Sequence, residues 1–455
     1  MGDRISELEE LVGKLLARIA ELESRNAELE RNDAELRRQL EDAQREAARQ
    51  AAPFRRAEER LKPIGEHKRP GRRKGHPGSF RRVPERIDET VEVPLPVCPR
   101  CGGPVTGDRR IEQVIQEIPA ARPHNTRLIT HRATCRHCGE VSSGHPLQVS
   151  AASGAAGCHL GPRATALAVS LKHLHGMTMR RICKVLGEGF GLTLTPGGLA
   201  QAIQRVAGKC RGKYAELAAA VRQSAASYTD ETSWYVGKPG WWLWVFTTPG
   251  ETLYVVDSGR GSQVVNATLG ENFGGVPVSD CLSSYDPPTC AKHKCVAHHL
   301  RAIAKAQKLP GQENAGYLGQ WRLLFTGLLG LWKSRPHIPP GEWPGKVHAM
   351  EAMRDDLLAH PGGGPGDVRI HHRLEKQKEH LLGCLKSAEV EPTNNRAERA
   401  LRPAVIARKL SCGNRTEAGK KAWECLASLA VTAVQRGQSA MDCFAALLPL
   451  AVQGR

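Results

Sequence analysis

The residues best suited to chemistry are carboxylates and thiols. Asp230 lies in "TDETSW" and Asp280 closes "GVPVSD", and both stretches read as β-strands. Clustered carboxylates resist simultaneous ionisation, because each raises the proton affinity of the next. Two divalent cations remove that conflict. Mg²⁺ prefers oxygen ligands and keeps several waters, so two or three carboxylates suffice to hold a pair that clamps a phosphodiester. Glu231, Asp257 and Asp286 compete for the same work. Strand alternation turns Glu231 to the other face from Asp230, Asp286 precedes two prolines in a loop-like stretch, and Asp257 ends a strand and suits a supporting role. A further carboxylate, Glu398, stands among Arg396, Arg399 and Arg402 in "NNRAERALRP". Its spacing from Arg402 is that of an ordinary helical ion pair, so the residues alone leave its role open.

The thiols form two pairs, Cys98 with Cys101 in "CPRCGG" and Cys135 with Cys138 in "CRHCGE". Each CxxC followed by glycine is a knuckle whose tight turn aims both sulfurs inward, and two knuckles make a closed Cys₄ zinc site that is structural. The 33 residues between the pairs contain "IEQVIQEIP" and "TRLITHRAT", which read as strands of a zinc ribbon. His137 is a bystander. A looser group, Cys290, His293, Cys295, His298 and His299, reads chiefly as packing or DNA positioning, with a second metal site as the alternative. The other cysteines are scattered, which suits a reducing cytosol.

The elements that must position these groups follow from period and punctuation. Residues 5–43 read as heptads, with Ile5, Val12, Ile19, Asn26, Asp33 and Leu40 at one seam position and Leu8, Leu15, Leu22, Leu29, Leu36 and Ala43 at the other. β-Branched residues at a with Leu at d favour a parallel dimer, and a lone Asn fixes register. Residues 54–82 follow, with 11 Lys or Arg against 3 Glu. This reads as a phosphate-binding arm, with a solvated linker as the alternative, and Arg69, Arg72, Arg73, Lys74, Arg81 and Arg82 are its expected DNA contacts. Residues 161–209 read as helices. Thr178 caps one with Met179, Ile182, Val185 and Leu186 inward, and three glycines, at 187, 189 and 191, end it; Thr195 and Pro196 start the next. Helix, glycine-bearing break, helix is compatible with helix-turn-helix. From Ser224 three strands form a meander carrying four of the eight tryptophans, read as sheet packing. A short helix, a fourth strand to Asp280 and the helix "CVAHHLRAIAKAQK" follow. This is the element order of a ribonuclease-H-like core, in which the first and fourth strands are neighbours and bring Asp230 to Asp280.

Charge points to the partner. The chain has 455 residues and a net charge of +18; the first 49 residues hold 9 basic and 13 acidic groups, so the remainder carries +22. So concentrated an excess fits a polyanion, most simply nucleic acid. No apolar run is long enough to span a bilayer, and the N-terminus is charged from Asp3 onward, unlike a signal peptide.

Together these features resemble the bacterial insertion-sequence DDE transposases of the IS sixty-six group. The resemblance is carried by "TDETSW", "DSGRGSQVV" at 257–265, "GGVPVSD", "CVAHHLRAI" and "PTNNRAERALRPAVIARK", with the zipper, basic arm and knuckles in the same order. It implies a catalytic triad of Asp230, Asp280 and Glu398 on a ribonuclease-H-like core. It also implies two Mg²⁺ ions (or Mn²⁺), Asp230 bridging both, besides the structural Zn²⁺. Arg396, Arg399 and Arg402 then reach phosphates. The 117 residues between Asp280 and Glu398 accommodate the family's helical insertion. Cys281 and Leu282 stand where the family usually has Gly and Tyr, and "LSCGNRTEAGKKA" replaces an aromatic stretch.

The expected organisation is multidomain α/β: coiled coil 1–50, basic linker 51–88, zinc ribbon 89–150, helical segment 151–222, core 223–305, helical insertion 306–390, and the remainder of the core with its C-terminal helices 391–455. The expected activity is binding of terminal inverted repeats, strand cleavage and strand transfer. The expected partners are double-stranded DNA (element ends and target), a second copy or more through the zipper, and accessory proteins of the element, in the cytoplasm at the nucleoid, without a membrane. The alternatives are an inactive DNA-binding regulator and a ribonuclease-H-like nuclease of another role.

Overall fold

The computed structural model describes residues 13, 18–19, 21–30, 32–33, 81–107, 109–148, 158–286, 290–312 and 316–449. Two compact units divide at residue 122, and each is described by itself. In the first, residues 21–30 are helical, and Ile19, Leu22 and Leu29 of the heptad pattern are exposed. The other apolar positions of that pattern lie outside the described residues. So do Arg69, Arg72, Arg73 and Lys74 of the basic arm, whereas Arg81 and Arg82 are exposed. The expected strand over "IEQVIQEIP" does not form: residues 111–119 are irregular, and Ile111, Ile115 and Ile118 face solvent. Alternating apolar residues make a strand only where a neighbour accepts their backbone groups.

The second unit opens with a small hairpin, β1 (Arg132–Cys135) and β2 (Gly139–Ser142), so "TRLITHRAT" is strand only at its end. Five further strands form one mixed sheet: β3 (Ala226–Val236), β4 (Lys238–Thr247), β5 (Thr252–Asp257), β6 (Val276–Ser279) and β7 (His293–Lys294). Their spatial order is β5-β4-β3-β6-β7, antiparallel through the meander and parallel from β3 to β7. Parallel neighbours need a crossover, usually through a helix, and the helix Ser262–Leu269 lies in the connection from the meander to β6. Gly275 sets the register of β6: a Cβ there would collide with the Ser224 carbonyl, and the next amide, Val276 N–H, donates to Ala225 O at 2.9 Å.

Both faces of this sheet are covered. On one, Tyr228, Leu243, Val245 and Tyr254 share a core with Leu318, Trp321, Phe325 and Leu374 of the insertion and Ala397 and Leu401 of the helix Asn395–Ser411. The insertion is built of helices Gly316–Ser334, Trp343–Ala359, Pro365–Lys376 and Gly383–Lys386. On the other face, Trp244 and Phe246 pack with Leu217, Val221 and Val264. The tryptophans at 234 and 244 are therefore core.

Threonine caps start the helices Met179–Phe190 and Pro196–Arg222: Thr178 accepts from Arg181 N–H and Thr195 from Gly198 N–H. The first runs through two glycines and ends at Gly191, whose positive φ of 67° closes it. Val185 is exposed, not inward; Ile182 and Leu186 are buried, and Met179 and Cys183 pack against the same core. The helix Pro162–His173 and these two share their core with the C-terminal helices Glu417–Gln435 and Ala440–Leu447, through Cys425, Leu426 and Phe444. Sequence-distant ends of the second unit thus complete one helical layer.

Candidate active site

The parallel pairing of β3 with β6 decides where the aspartates fall. Ala226 stands opposite Val276 and Tyr228 opposite Val278. Two residues further, on the same face, Asp230 is level with Asp280, just past the end of β6. Adjacent strands lie about 4.8 Å apart, so the two carboxylates are neighbours at the C-terminal end of the parallel pair. Asp280 accepts from Leu282 N–H at 2.9 Å, the side-chain turn an aspartate makes at a strand end.

Glu398 arrives from a different part of the chain by a strap. Asn394 Nδ2 donates to Thr229 O at 2.7 Å, one residue before Asp230. Its backbone N–H points to Cys295 Sγ, and Val296 N–H donates to Pro392 O at 3.0 Å. Tyr228 OH accepts from Glu391 N–H at 2.8 Å. These bonds pin "EPTNN" to β3 and to the start of the helix Val296–Ala306. Glu398 follows Asn394 by four residues, so it rides the same helical face one turn on, over the Asp230 side of the sheet. The helix Asn395–Ser411 continues unbroken through Pro403, which the sequence reads as a kink or stop. Tyr254 OH donates to Ala400 O at 2.6 Å, and Arg408 bonds Thr232 and Ser233 beyond it. Tertiary ties on both sides of the proline hold the helix that local propensity alone would interrupt.

The electrostatics bear out the clustering. Burial first, then the charges of Glu231, Asp280 and Glu398, push the Asp230 carboxyl up to about 7. Glu398 makes its ion pair with Arg301, at 3.1 Å, rather than with Arg402, and His298 Nε2 lies 3.9 Å from the same oxygen. Burial holds His298 below its ordinary value, with Asp280 and Glu398 acting in the opposite direction, and its Nδ1 is buried without a partner. His299 is fully buried, stacked 5.1 Å from Phe325. Among the described residues, no three His, Cys, Asp or Glu side chains are gathered closely enough to hold a metal ion as they stand. The three carboxylates are an all-oxygen donor set, the chemistry taken by cations that complete their shells with water and phosphate oxygens.

The rival acids are committed elsewhere. Glu231 takes Arg260 at 2.8 Å and Tyr285 OH at 2.5 Å, and Arg260 stacks 4.2 Å over Trp242. Asp286 pairs with buried Lys294 at 3.0 Å and with Lys376. Asp257 accepts from Gly259 N–H. Of the three arginines around Glu398, Arg399 and Arg402 are exposed, but Arg396 is turned to the protein: it pairs with Glu391 and lies 5.4 Å over the Tyr228 ring. Sequence reading missed Arg301, because nothing local tells a helix arginine from one that faces a distant carboxylate.

Each knuckle is locally formed. Cys98 N–H donates to Gly103 O and Gly102 N–H to Cys98 O, both at 2.8 Å, with Gly102 at a φ of 73°. Cys135 ends β1, Gly139 turns the hairpin at a φ of 84°, and His137 N–H points to Cys135 Sγ at 3.5 Å. Backbone N–H groups lower the Cys98 and Cys135 thiols from their ordinary value, as thiolate ligands require.

The architecture and site define a mixed α/β protein with an acidic centre at the end of parallel strands and basic side chains around it. Residues 157–325 and 349–422 match the Transposase IS66 family, and the chain belongs to that family. The matched segments include Asp230, Asp280 and Glu398. No curated protein matches the chain. Membership makes this chain a transposase, of a class that binds DNA and cleaves and transfers it. No helix among the described residues is long and apolar enough to cross a membrane.

Proposed function

We propose that the chain binds the terminal inverted repeats of an insertion sequence and performs strand cleavage and strand transfer at Asp230, Asp280 and Glu398. The observation that carries this reading is the register of β3 and β6, which levels the two aspartates, together with the Asn394 strap that brings Glu398 to them. The sheet order β5-β4-β3-β6-β7 supports a ribonuclease-H-like core. Bound divalent cations, Mg²⁺ or Mn²⁺, would supply water activation and neutralise phosphate charge.

The chain's own residues do the rest. Asp230, whose carboxyl burial pushes up, would hold the cations together with Asp280 and Glu398. Arg301 neutralises Glu398 and is half-exposed, so it can release that carboxylate and turn to a phosphate. Arg399 and Arg402 are free to hold the DNA backbone beside the site. Hydrolysis breaks a P–O bond at the element end and leaves a 3′-OH; that hydroxyl then attacks a target phosphodiester, exchanging one P–O bond for another. Arg81, Arg82 and the rest of the basic arm supply affinity, the helix at 21–30 pairs two copies through Leu22 and Leu29, and Cys98, Cys101, Cys135 and Cys138 hold a structural zinc on their donor chemistry.

The test is strand cleavage and joining on duplexes carrying the repeats that flank the coding sequence, in Mg²⁺, with wild type beside Asp230→Ala. Wild type should cut and join, and the variant should bind without cutting. A wild type that binds the ends but neither cuts nor joins in Mg²⁺ or Mn²⁺ would overturn the reading.

A further inference from the structure

Arg373 belongs to the helix Pro365–Lys376 of the insertion, 93 positions past Asp280 and 25 before Glu398. Its helix neighbours are matched: Lys376 pairs with Asp286 and His371 with Glu375. Arg373 makes no ion pair among the described residues, and its Nε is buried without a partner. The guanidinium lies within hydrogen-bonding reach of the thiol of Cys281, the residue after Asp280. The helix that carries it packs on the helix Val296–Ala306, which presents His298 and Arg301 to Glu398. A half-buried guanidinium lacking an acid is costly, and an anion completes it. The anion that a planar fork of donors fits best is a carboxylate or a phosphate. The three carboxylates would be occupied by cations during the reaction, which leaves the phosphodiester.

We propose that Arg373 is a phosphate-holding residue of the strand-cleaving centre, contacting a non-bridging oxygen of the scissile phosphodiester, so that the insertion forms part of that centre. The proposal rests on the transposase reading above. Negative charge develops on the phosphoryl oxygens as the bond exchanges, and a donor already fixed there stabilises that charge without reorganisation. The helix that presents Arg373 is anchored for this by Ile370 and Leu374, both buried in the core it shares with the sheet. Cys281 then has a physical role as the neighbour that keeps the guanidinium beside Asp280.

The experiment is single-turnover cleavage by the full chain on the same end-bearing duplexes, with the scissile phosphate natural or replaced by either phosphorothioate diastereomer. Arg373→Gln should lower the cleavage rate about a hundredfold while leaving end-DNA affinity nearly unchanged, and Arg373→Lys should fall between. Wild type should discriminate between the diastereomers, and Arg373→Gln should lose the part of that discrimination due to one oxygen. A purely structural arginine would slow all three substrates equally. Arg373→Gln cutting at the wild-type rate, or slowed with the diastereomer ratio intact, would overturn the proposal while the transposase reading stands. An inactive wild type would overturn both. Should Arg373→Gln fail to fold, the diastereomer ratio of Arg373→Lys decides: a single-point ammonium cannot reproduce the fork, so an unchanged ratio rejects the contact.

Discussion

The sheet that carries Asp230 and the chain from Arg81 to Arg122 contain the same kind of sequence and end in opposite states. Both have apolar residues at alternate positions. In β3 and β6 they are buried, Tyr228 and Val278 completely, because β4 and β7 take the backbone groups and helices cover both faces. In the other stretch Val93, Ile111 and Ile118 are 85%, 85% and 86% exposed, and no ladder forms among the described residues. Alternation says only that one face is apolar; a strand also needs an edge to pair with and a layer to lie on. The first region owns its partners and can hold a site rigid. The second lacks such partners among the described residues.

The largest effects should come from the carboxylates of the region that owns its partners. Asp230→Asn should abolish cleavage and at the same time stabilise the metal-free fold, because it removes a charge that burial and three neighbouring acids disfavour. Thermal melting in EDTA should rise by a few degrees; a fall would mean that Asp230 is held there for structure. The second region is probed through its proposed zinc: Cys98→Ser should lose the metal and weaken end-DNA binding, measured by metal analysis and by titration. Undiminished zinc would reject the four-thiol site. The strap comes next. Asn394→Ala keeps every carboxylate, yet should slow cleavage about tenfold or more by loosening Glu398, and destabilise the fold by about 1–3 kcal/mol. Wild-type kinetics would show that the strap does not position Glu398.

The smallest effect concerns stability alone. Burial pushes Glu424, which accepts the Val256 N–H, from its ordinary 4.5 to about 7. The fold therefore favours the protonated acid. Between pH 4.5 and about 7 the unfolded chain ionises first, so the stability contributed below that window is lost as pH rises through it. Glu424→Gln should flatten this decline, matching wild type at pH 4 and exceeding it at pH 8 by roughly 3 kcal/mol. Equal slopes in chemical denaturation across that range would contradict the assignment.

Much of the centre was legible because its signals are local. Strand alternation placed Asp230 and Asp280, threonine caps fixed the helix starts at 178 and 195, and the order of strands implied which two are neighbours. The parts that were not legible depend on tertiary partners. Pro403 reads as a helix stop until Tyr254 and Arg408 hold the helix across it. The two-residue β7 is too short to register as a strand and exists because β6 offers an edge. Glu398 reads as the partner of Arg402, since helical spacing is visible and Arg301, almost a hundred positions away, is not. Arg373 carries no signal at all in sequence, for its meaning lies in the acid it lacks.

The account stands most directly on Glu398, the carboxylate whose role the residues alone left open. Single-turnover cleavage of element-end duplexes in Mg²⁺ by wild type, Glu398→Gln and Arg402→Ala measures it. The account predicts cleavage by wild type, none by Glu398→Gln despite intact end binding, and near-normal chemistry with weakened binding for Arg402→Ala. Cleavage by Glu398→Gln at the wild-type rate would show that the helix brings a charge partner to the sheet and not a member of its active centre.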